Sequence, residues 1–231
     1  MDHGFSGFPK DFLAFFRELK AHNERSWFEA NKERFRDSVQ APMSEFIAAM
    51  APRLAKLSKE FIADPRPHGG SMFRIYRDVR FSKDKRPYKE HGAVQFRHRL
   101  GRDVHAPGFY VHLGPAEVFF GGGLWMPDAD ALAKVRTAIA AKPIVWKRVV
   151  AAKSFREAFG AVEGEQLVRP PRGFDPRHPF IDDIRRKSFV VGRDGSEKSA
   201  LSAGFVDEVA ACFKAALPLM RFLCAAVDVP F

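Results

Sequence analysis

Residues 72–91 read M-F-R-I-Y-R-D-V-R-F-S-K-D-K-R-P-Y-K-E-H, and the hydrophobic pattern of the chain changes within this stretch. Before it, apolar residues recur every three or four positions, as in helices. Within residues 72–81, apolar and polar residues alternate instead, which predicts an amphipathic strand. One predicted face carries Phe73, Ile75, Val79 and Phe81, and the other carries Arg74, Tyr76, Asp78 and Arg80. The stretch therefore predicts where a helical N-terminal part gives way to a sheet.

Helical periodicity is found on both sides of this stretch. Asn23 or Ser26 is expected to cap a helix near Trp27, and Pro52 is expected to kink or break its continuation. Asp128 is expected to cap the first helix of the second half. The predicted helices are 8–20, one from 27 that restarts at Pro42 and continues to 57, 128–140, 143–152, 154–159 and 202–227, with an extended connection at 166–179 and a turn at 192–196.

Three further strands are expected at 93–100, 108–113 and 116–121, separated by short links that contain Gly or Pro. Short links favour antiparallel neighbours. The sequence thus predicts a single α+β domain over residues 1–231. Its antiparallel meander sheet has about four or more strands, packed against N-terminal and C-terminal helices.

The composition supports a large packed core without covalent crosslinks. Of the 231 residues, 46% are hydrophobic and 24 are Phe. Cys212 and Cys224 fall too far apart on one predicted helix to pair with each other, so a reducing, cytoplasmic location is expected. No run of about 18 apolar residues is found, so no membrane span is expected.

The net charge of +10 is concentrated in two blocks. Residues 71–91 carry an excess of four positive charges, and residues 141–198 an excess of five. A localised basic surface favours polyanions or phosphorylated ligands. The alternative is a generally basic surface that keeps the protein in solution.

The predicted strands place polar side chains on one shared face of the sheet. Arginine binds phosphate or carboxylate with a planar, two-pronged donor, so this face could hold an anion. The alternative is a solvated sheet face with ordinary cross-strand ion pairs. The face comprises Arg74, Tyr76, Asp78, Arg80, Gln95, Arg97, Arg99, Tyr110, His112 and Glu117.

Three roles are assigned to candidate site residues. Arg74, Arg80, Lys85 and Lys89 are candidates for anion binding. Tyr76, Asp78, Tyr88 and His112 are candidates for acid–base chemistry or for orienting other groups. Arg77 shares a face with apolar residues and needs a carboxylate partner if buried, so Arg77 and Asp84 are candidates for a structural clasp.

No metal site is predicted, and the sequence leaves the cofactor open. His91, His98, His105 and His112 are spaced seven apart, but that period does not place residues on one face of a strand. Only a hairpin register could bring two of them together. The chain also lacks a P-loop, a dinucleotide fingerprint and a nucleophile elbow, although Gly121–Gly123 would let a ligand or backbone approach closely.

The pattern Arg74-x-x-Arg77-Asp78-x-Arg80-Phe81-x-x-Asp84-Lys85-x-Pro87-Tyr88-Lys89 resembles the hallmark of the domain of unknown function 2461 family, which comprises bacterial and some fungal proteins. The segments 122–127 and 169–174 add to the likeness. Trp125 stands where a tyrosine is expected. The resemblance implies one full-length domain and assigns no activity, cofactor or catalytic residue.

Three functions remain open from the sequence. The first is binding of, or action on, a phosphorylated or other anionic small molecule. The second is non-catalytic nucleic-acid binding, with the connection at 169–177 as a further phosphate track. The third is a structural motif in a protein-interaction domain. The oligomeric state is not predicted.

Overall fold

The computed structural model describes residues 4–101 and 107–231. The N-terminal part is helical, and its helices follow one another closely. They are α1 (Lys10–Ala21), α2 (Arg25–Ala30), α3 (Lys32–Phe35), a π-helical turn (Arg36–Gln40) and α4 (Ala41–Leu57). In α1, Phe12, Phe15, Phe16 and Leu19 recur at helical spacing and are fully buried, so one stripe of the helix belongs to the core.

The predicted cap of the second helix is wrong, and of the kink or break expected at Pro52 the break does not occur. α2 begins at Arg25 without a side-chain cap, because Asn23 bonds elsewhere in the fold. α4 continues through Pro52 instead of breaking there. Pro52 is exposed, whereas Met50 and Leu54 on either side of it are buried, so apolar packing maintains the helix past the missing backbone donor.

Four antiparallel strands form the sheet in the order β1-β2-β3-β4. They are β1 (Gly92–Arg97), β2 (Gly108–Gly114), β3 (Glu117–Leu124) and β4 (Phe189–Asp194). The predicted α+β class and antiparallel meander are confirmed. β1, β2 and β3 lie within a few residues of three predicted strands.

The predicted strand at 72–81 is wrong, and β4 was missed. Residues 72–81 form one isolated bridge to the sheet, from Met72 to Val94, and Tyr76 bridges Tyr88, which lies outside the four strands. β4 occupies part of the predicted turn at 192–196. Its sequence contains Gly192, Arg193 and Asp194, which are typical of turns, yet pairing with β3 holds it extended.

The C-terminal half adds six helices among the described residues. They are α5 (Ala129–Ala141), α6 (Pro143–Ala151), α7 (Lys153–Phe159), α8 (Ile181–Ile184), α9 (Glu197–Ala200) and α10 (Phe205–Ala226). Asp128 caps α5 as predicted, since its carboxylate accepts a hydrogen bond from Ala131 N at 2.8 Å.

α10 packs against the inner face of the sheet. Phe213 stacks on Phe109 of β2 with ring centroids 4.5 Å apart, and Cys212 Sγ lies 3.5 Å from Phe120 O. By length and composition alone, α10 could also cross a membrane, and half of its most apolar window is buried inside the fold. The inner sheet face and α10 together form the centre of the hydrophobic core.

Candidate functional site

The outer face of the sheet is the face turned away from α10. A segment of the basic stretch lies along one edge of the sheet. Phe73 N donates to Ala93 O at 2.9 Å, and Lys89 N donates to Ile75 O at 2.8 Å. Residues 71–76 and 87–94 therefore run as two paired arms, joined by residues 77–87. We call residues 77–87 the basic loop.

Asn23, in the link between α1 and α2, fastens one arm to the helical layer. Its Nδ2 donates to Tyr88 O at 3.0 Å, and its Oδ1 accepts from Tyr88 N at 3.1 Å. The amide thus bonds both backbone groups of Tyr88 as a neighbouring strand would. The Tyr88 ring is buried and stacks on Phe28 at 4.2 Å.

Asp84 organises the basic loop. Its carboxylate accepts from Arg77 Nη1 at 2.6 Å, from Arg86 Nη2 at 2.7 Å and from the Arg86 backbone N at 3.0 Å. These hydrogen bonds, that of the Arg86 side chain first, hold the pKa of Asp84 well below its usual range. The two residues assigned to a clasp are therefore in direct contact, and Arg86 also pairs with Glu90.

The four anion-binding candidates do not meet in one pocket. Arg80 pairs with Asp78 at 2.7 Å, and Lys85 Nζ donates to Val79 O at 2.9 Å. Lys89 Nζ donates to Arg74 O at 2.9 Å, which places Lys89 beside Arg74 and away from the other two. Among the described residues, the Arg74 guanidinium has no hydrogen-bond or ion-pair partner.

The acid–base candidates divide in a similar way. The hydrogen bond from Arg80 lowers the pKa of Asp78 to about 2, so its carboxylate is ionised and paired. Burial raises the pKa of Tyr88. Tyr76 is half exposed and lines a small hollow of about 340 Å³ together with Arg25, Glu29, Arg77, Val79, Pro87 and Tyr88. His112 lies apart from these three, on the outer sheet face.

A larger cleft of about 540 Å³ lies on that outer face. Its floor is rich in glycine, because half of the positions in two neighbouring cross-strand rows are glycine. The rows are Gln95–Tyr110–Gly121–Gly192 and Arg97–Gly108–Gly123–Val190. Four aromatic side chains stand around this floor: Phe73, Tyr110, Phe119 and Trp125.

The floor glycines differ in how much room surrounds them. A Cβ on Gly121 would lie 1.9 Å from Val191 O, so the backbone at that point requires glycine. A Cβ on Gly192 would meet only Phe120 O at 3.7 Å, which is ordinary contact. Gly192 therefore leaves space in the cleft without being required by the backbone.

Tyr110 connects the cleft to a histidine pair. Its hydroxyl lies 3.2 Å from His112 Nδ1, and the rings of His91 and His112 are 4.0 Å apart. His112 Nε2 is buried and lies 3.6 Å from Glu117 Oε2, which is too long for a hydrogen bond. Burial raises the pKa of Tyr110 to about 12, lowers the pKa of His91 to about 3 and also lowers that of His112. At neutral pH the group can therefore offer hydrogen bonds from an uncharged phenol and two uncharged imidazoles.

Lys89 links the basic stretch to the cleft. Its ammonium lies 5.1 Å from the centroid of the Phe73 ring, which forms one wall. Burial lowers the pKa of Lys89, and the nearby positive charge of Arg74 lowers it further. Glu163, at the opposite edge of the sheet, is the acidic member of the lining. The cleft thus has a lysine beside one aromatic wall and a carboxylate in its lining at the opposite edge.

The sequence predicted part of this arrangement. Gln95, Arg97, Tyr110, His112 and Glu117 share one sheet face, as expected. Phe73 and Trp125 were not assigned to a site, because alternation placed Phe73 with the core residues and nothing in the sequence showed that the 122–127 segment borders a cleft. The three consecutive glycines from Gly121 were the available signal.

The histidines were expected to converge only by a hairpin register, and His91 and His112 do so. His105 lies outside the described residues. Among residues 4–101 and 107–231, no group of three or more His, Cys, Asp or Glu is placed to hold a metal ion.

Comparisons with known proteins give one assignment. Neither the curated proteins nor the solved structures contain a match to this chain. A family model described as "Conserved hypothetical protein (DUF2461)" matches residues 11–222. This match covers most of the sequence, including the basic loop and all four strands, and the chain therefore belongs to the DUF2461 family.

Proposed function

We propose that this protein binds a phosphorylated or otherwise anionic small molecule that also has a flat, unsaturated part. The flat part lies on the glycine floor of the cleft, and the anionic group lies beside Lys89 and Arg74. The observation that carries the proposal is the position of the Lys89 ammonium, 5.1 Å from the ring of a cleft wall.

The shape and lining of the cleft support a flat ligand. Glycine at the floor removes side chains that would hold a ring away from the sheet, and aromatic walls offer stacking surfaces. A volume of about 540 Å³ lies within the range of small-molecule sites. Gln95 and Tyr110 supply the few polar groups that would orient the ligand.

The charge balance supports an anionic group at the Phe73 side. In residues 71–91, Arg77, Arg80 and Arg86 are matched by Asp78, Asp84 and Glu90. The remaining cations form no ion pair among the described residues, although the charge of Arg74 also acts on Asp78, and they are Arg74, Lys83, Lys85 and Lys89. One of these, Lys89, lies beside the Phe73 wall and near the positive charge of Arg74, so an anion at that wall would meet positive charge.

Pairs of ligands that differ only by a phosphate test the proposal. Binding of AMP and adenosine, and of FMN and riboflavin, is measured by calorimetry for the wild type and three variants. Lys89→Gln should lower, at least several-fold, the ratio of the affinity for the phosphorylated member to the affinity for the unphosphorylated one. Gly192→Val should weaken both members, since it fills the floor. Lys153→Gln, on the exposed surface of α7, is the matched charge control and should change neither.

The outcomes distinguish the alternatives. Equal binding of both members of each pair would contradict the anionic group but not the cleft. Unchanged binding in Gly192→Val would exclude the cleft itself. Unfolding of Lys89→Gln would favour a structural role for the stretch over ligand binding.

A further inference from the structure

The tip of the basic loop presents an aromatic ring to solvent. Phe81 is 96% exposed, although sequence alternation placed it with the inward residues. The guanidinium of Arg80 lies 5.8 Å from the ring centroid. Phe81 lies at the tip of the loop and lines neither the small hollow nor the cleft, so the cleft does not account for its exposure.

The loop is held in shape around this exposed ring. Asp84 accepts hydrogen bonds from Arg77 and Arg86. Lys85 Nζ donates to Val79 O at 2.9 Å, and Arg77 N donates to Pro87 O at 2.9 Å. Because the loop is already ordered by these bonds, little further ordering is needed when the ring meets a partner. Phe81 is therefore presented on a fixed support.

Two lysines of the same loop carry positive charge that no carboxylate of the described residues neutralises. Lys83 is exposed and has no hydrogen-bond or ion-pair partner in the described part of the chain. Lys85 bonds a neutral carbonyl, so its charge is not neutralised. An exposed aromatic ring on a loop that also carries free cations is an arrangement by which proteins bind single strands, in which bases stack and phosphates pair with Lys or Arg.

We propose that the basic loop binds single-stranded nucleic acid, with a base stacked on Phe81 and phosphates beside Lys83 and Lys85. This surface is separate from the cleft and does not depend on the function proposed for it. A membrane fits less well, because one isolated aromatic side chain gives only marginal membrane attachment. Duplex DNA also fits less well, since a stacked base must be unpaired.

Fluorescence anisotropy with a short labelled oligouridine, measured over a range of KCl concentrations, tests this inference. Phe81→Ala and Phe81→Leu should both weaken binding about 5-fold or more, whereas Phe81→Trp should retain it. Lys83→Gln should make the slope of log affinity against log salt shallower by about 0.7. Ile144→Ala, an exposed apolar residue on α6, is the control and should bind as the wild type does.

The leucine variant distinguishes stacking from apolar contact. Wild-type binding by Phe81→Leu, or binding that does not change with salt, would overturn the proposal. Equal affinity of the wild type for a fully paired hairpin would also overturn it. So would a Phe81→Ala variant that loses binding to anionic vesicles but keeps its binding to RNA. Because Phe81 is almost fully exposed, thermal unfolding should show that all its variants are folded. Because the cleft is separate from the loop, Gly192→Val should still bind the oligouridine.

Discussion

Arg77 Nη1 lies 2.6 Å from Asp84 Oδ2, although six residues separate them in the basic loop. Asp84 also accepts hydrogen bonds from the side chain and backbone of Arg86. One carboxylate thus joins the beginning and the end of the loop. This contact gives the assigned clasp a geometry and makes its role testable.

Asp84→Asn should loosen the basic loop more than Asp78→Asn does. Asparagine keeps the size of the side chain but removes the charge that two guanidinium groups share, whereas Asp78 holds only Arg80. The measurement is amide hydrogen exchange over residues 77–87, supported by limited trypsin cleavage at Lys83 and Lys85. Equal protection in the two variants would show that Asp84 is no clasp.

Asn23→Ala should lower the free energy of unfolding by about 1–3 kcal/mol, because both backbone groups of buried Tyr88 lose their partner. Chemical denaturation gives this value. Asn31→Ala is the matched control, since Asn31 bonds only the nearby Trp27 O, within its own helical turn. A loss for Asn23→Ala no larger than the control would mean that water replaces the amide.

Gly121→Ala and Gly192→Ala should differ sharply in stability. The first places a Cβ 1.9 Å from Val191 O and should destabilise the fold by about 1–3 kcal/mol or more, since backbone must move. The second meets only a 3.7 Å contact and should leave the melting temperature nearly unchanged. Thermal unfolding of both variants checks this, and similar melting temperatures would contradict the strand packing described above.

Stability should fall as the pH drops below about 6.5, the ordinary histidine pKa. Burial lowers the pKa of His91 to about 3 and also lowers that of His112, so the unfolded chain takes up protons first. Each histidine then costs up to about 1.4 kcal/mol per pH unit until its folded pKa is reached. Denaturation between pH 6.5 and 5 should show this slope in the wild type and a shallower one in the double variant His91→Gln/His112→Gln. The single variant His68→Gln, on an exposed loop, should keep the wild-type slope.

Periodicity predicted the layers of the fold because its cause is local. The helical spacing of Phe12, Phe15 and Phe16 and the alternation through β2 each follow from which side of an element is buried. β4 could not be predicted in this way, since Gly192 to Asp194 favour a turn locally and only pairing with β3 extends them. Residues 72–81 show the opposite case, in which alternation is present but only one isolated bridge joins them to the sheet.

The site was harder to predict than the fold, because its parts come from distant segments. The shared face of Tyr110 and His112 followed from alternation, but its contact with His91 depends on the pairing of β1 and β2. Asn23 resembled a helix cap and instead bonds Tyr88, a partner 65 residues away. Such contacts depend on tertiary packing, which a single sequence does not display.

The segments that border the cleft also shield both edges of the sheet. Residues 71–73 pair with β1 near Ala93 and residues 60–62 pair with it near Arg97, while Glu163 pairs with Val190 of β4. Exposed strand edges invite other chains to add to a sheet and so to aggregate. A change that detaches the Phe73 arm should therefore open the cleft and also favour self-association of the protein. The need to avoid polymerisation would then constrain the sequences of these segments even when no ligand is bound.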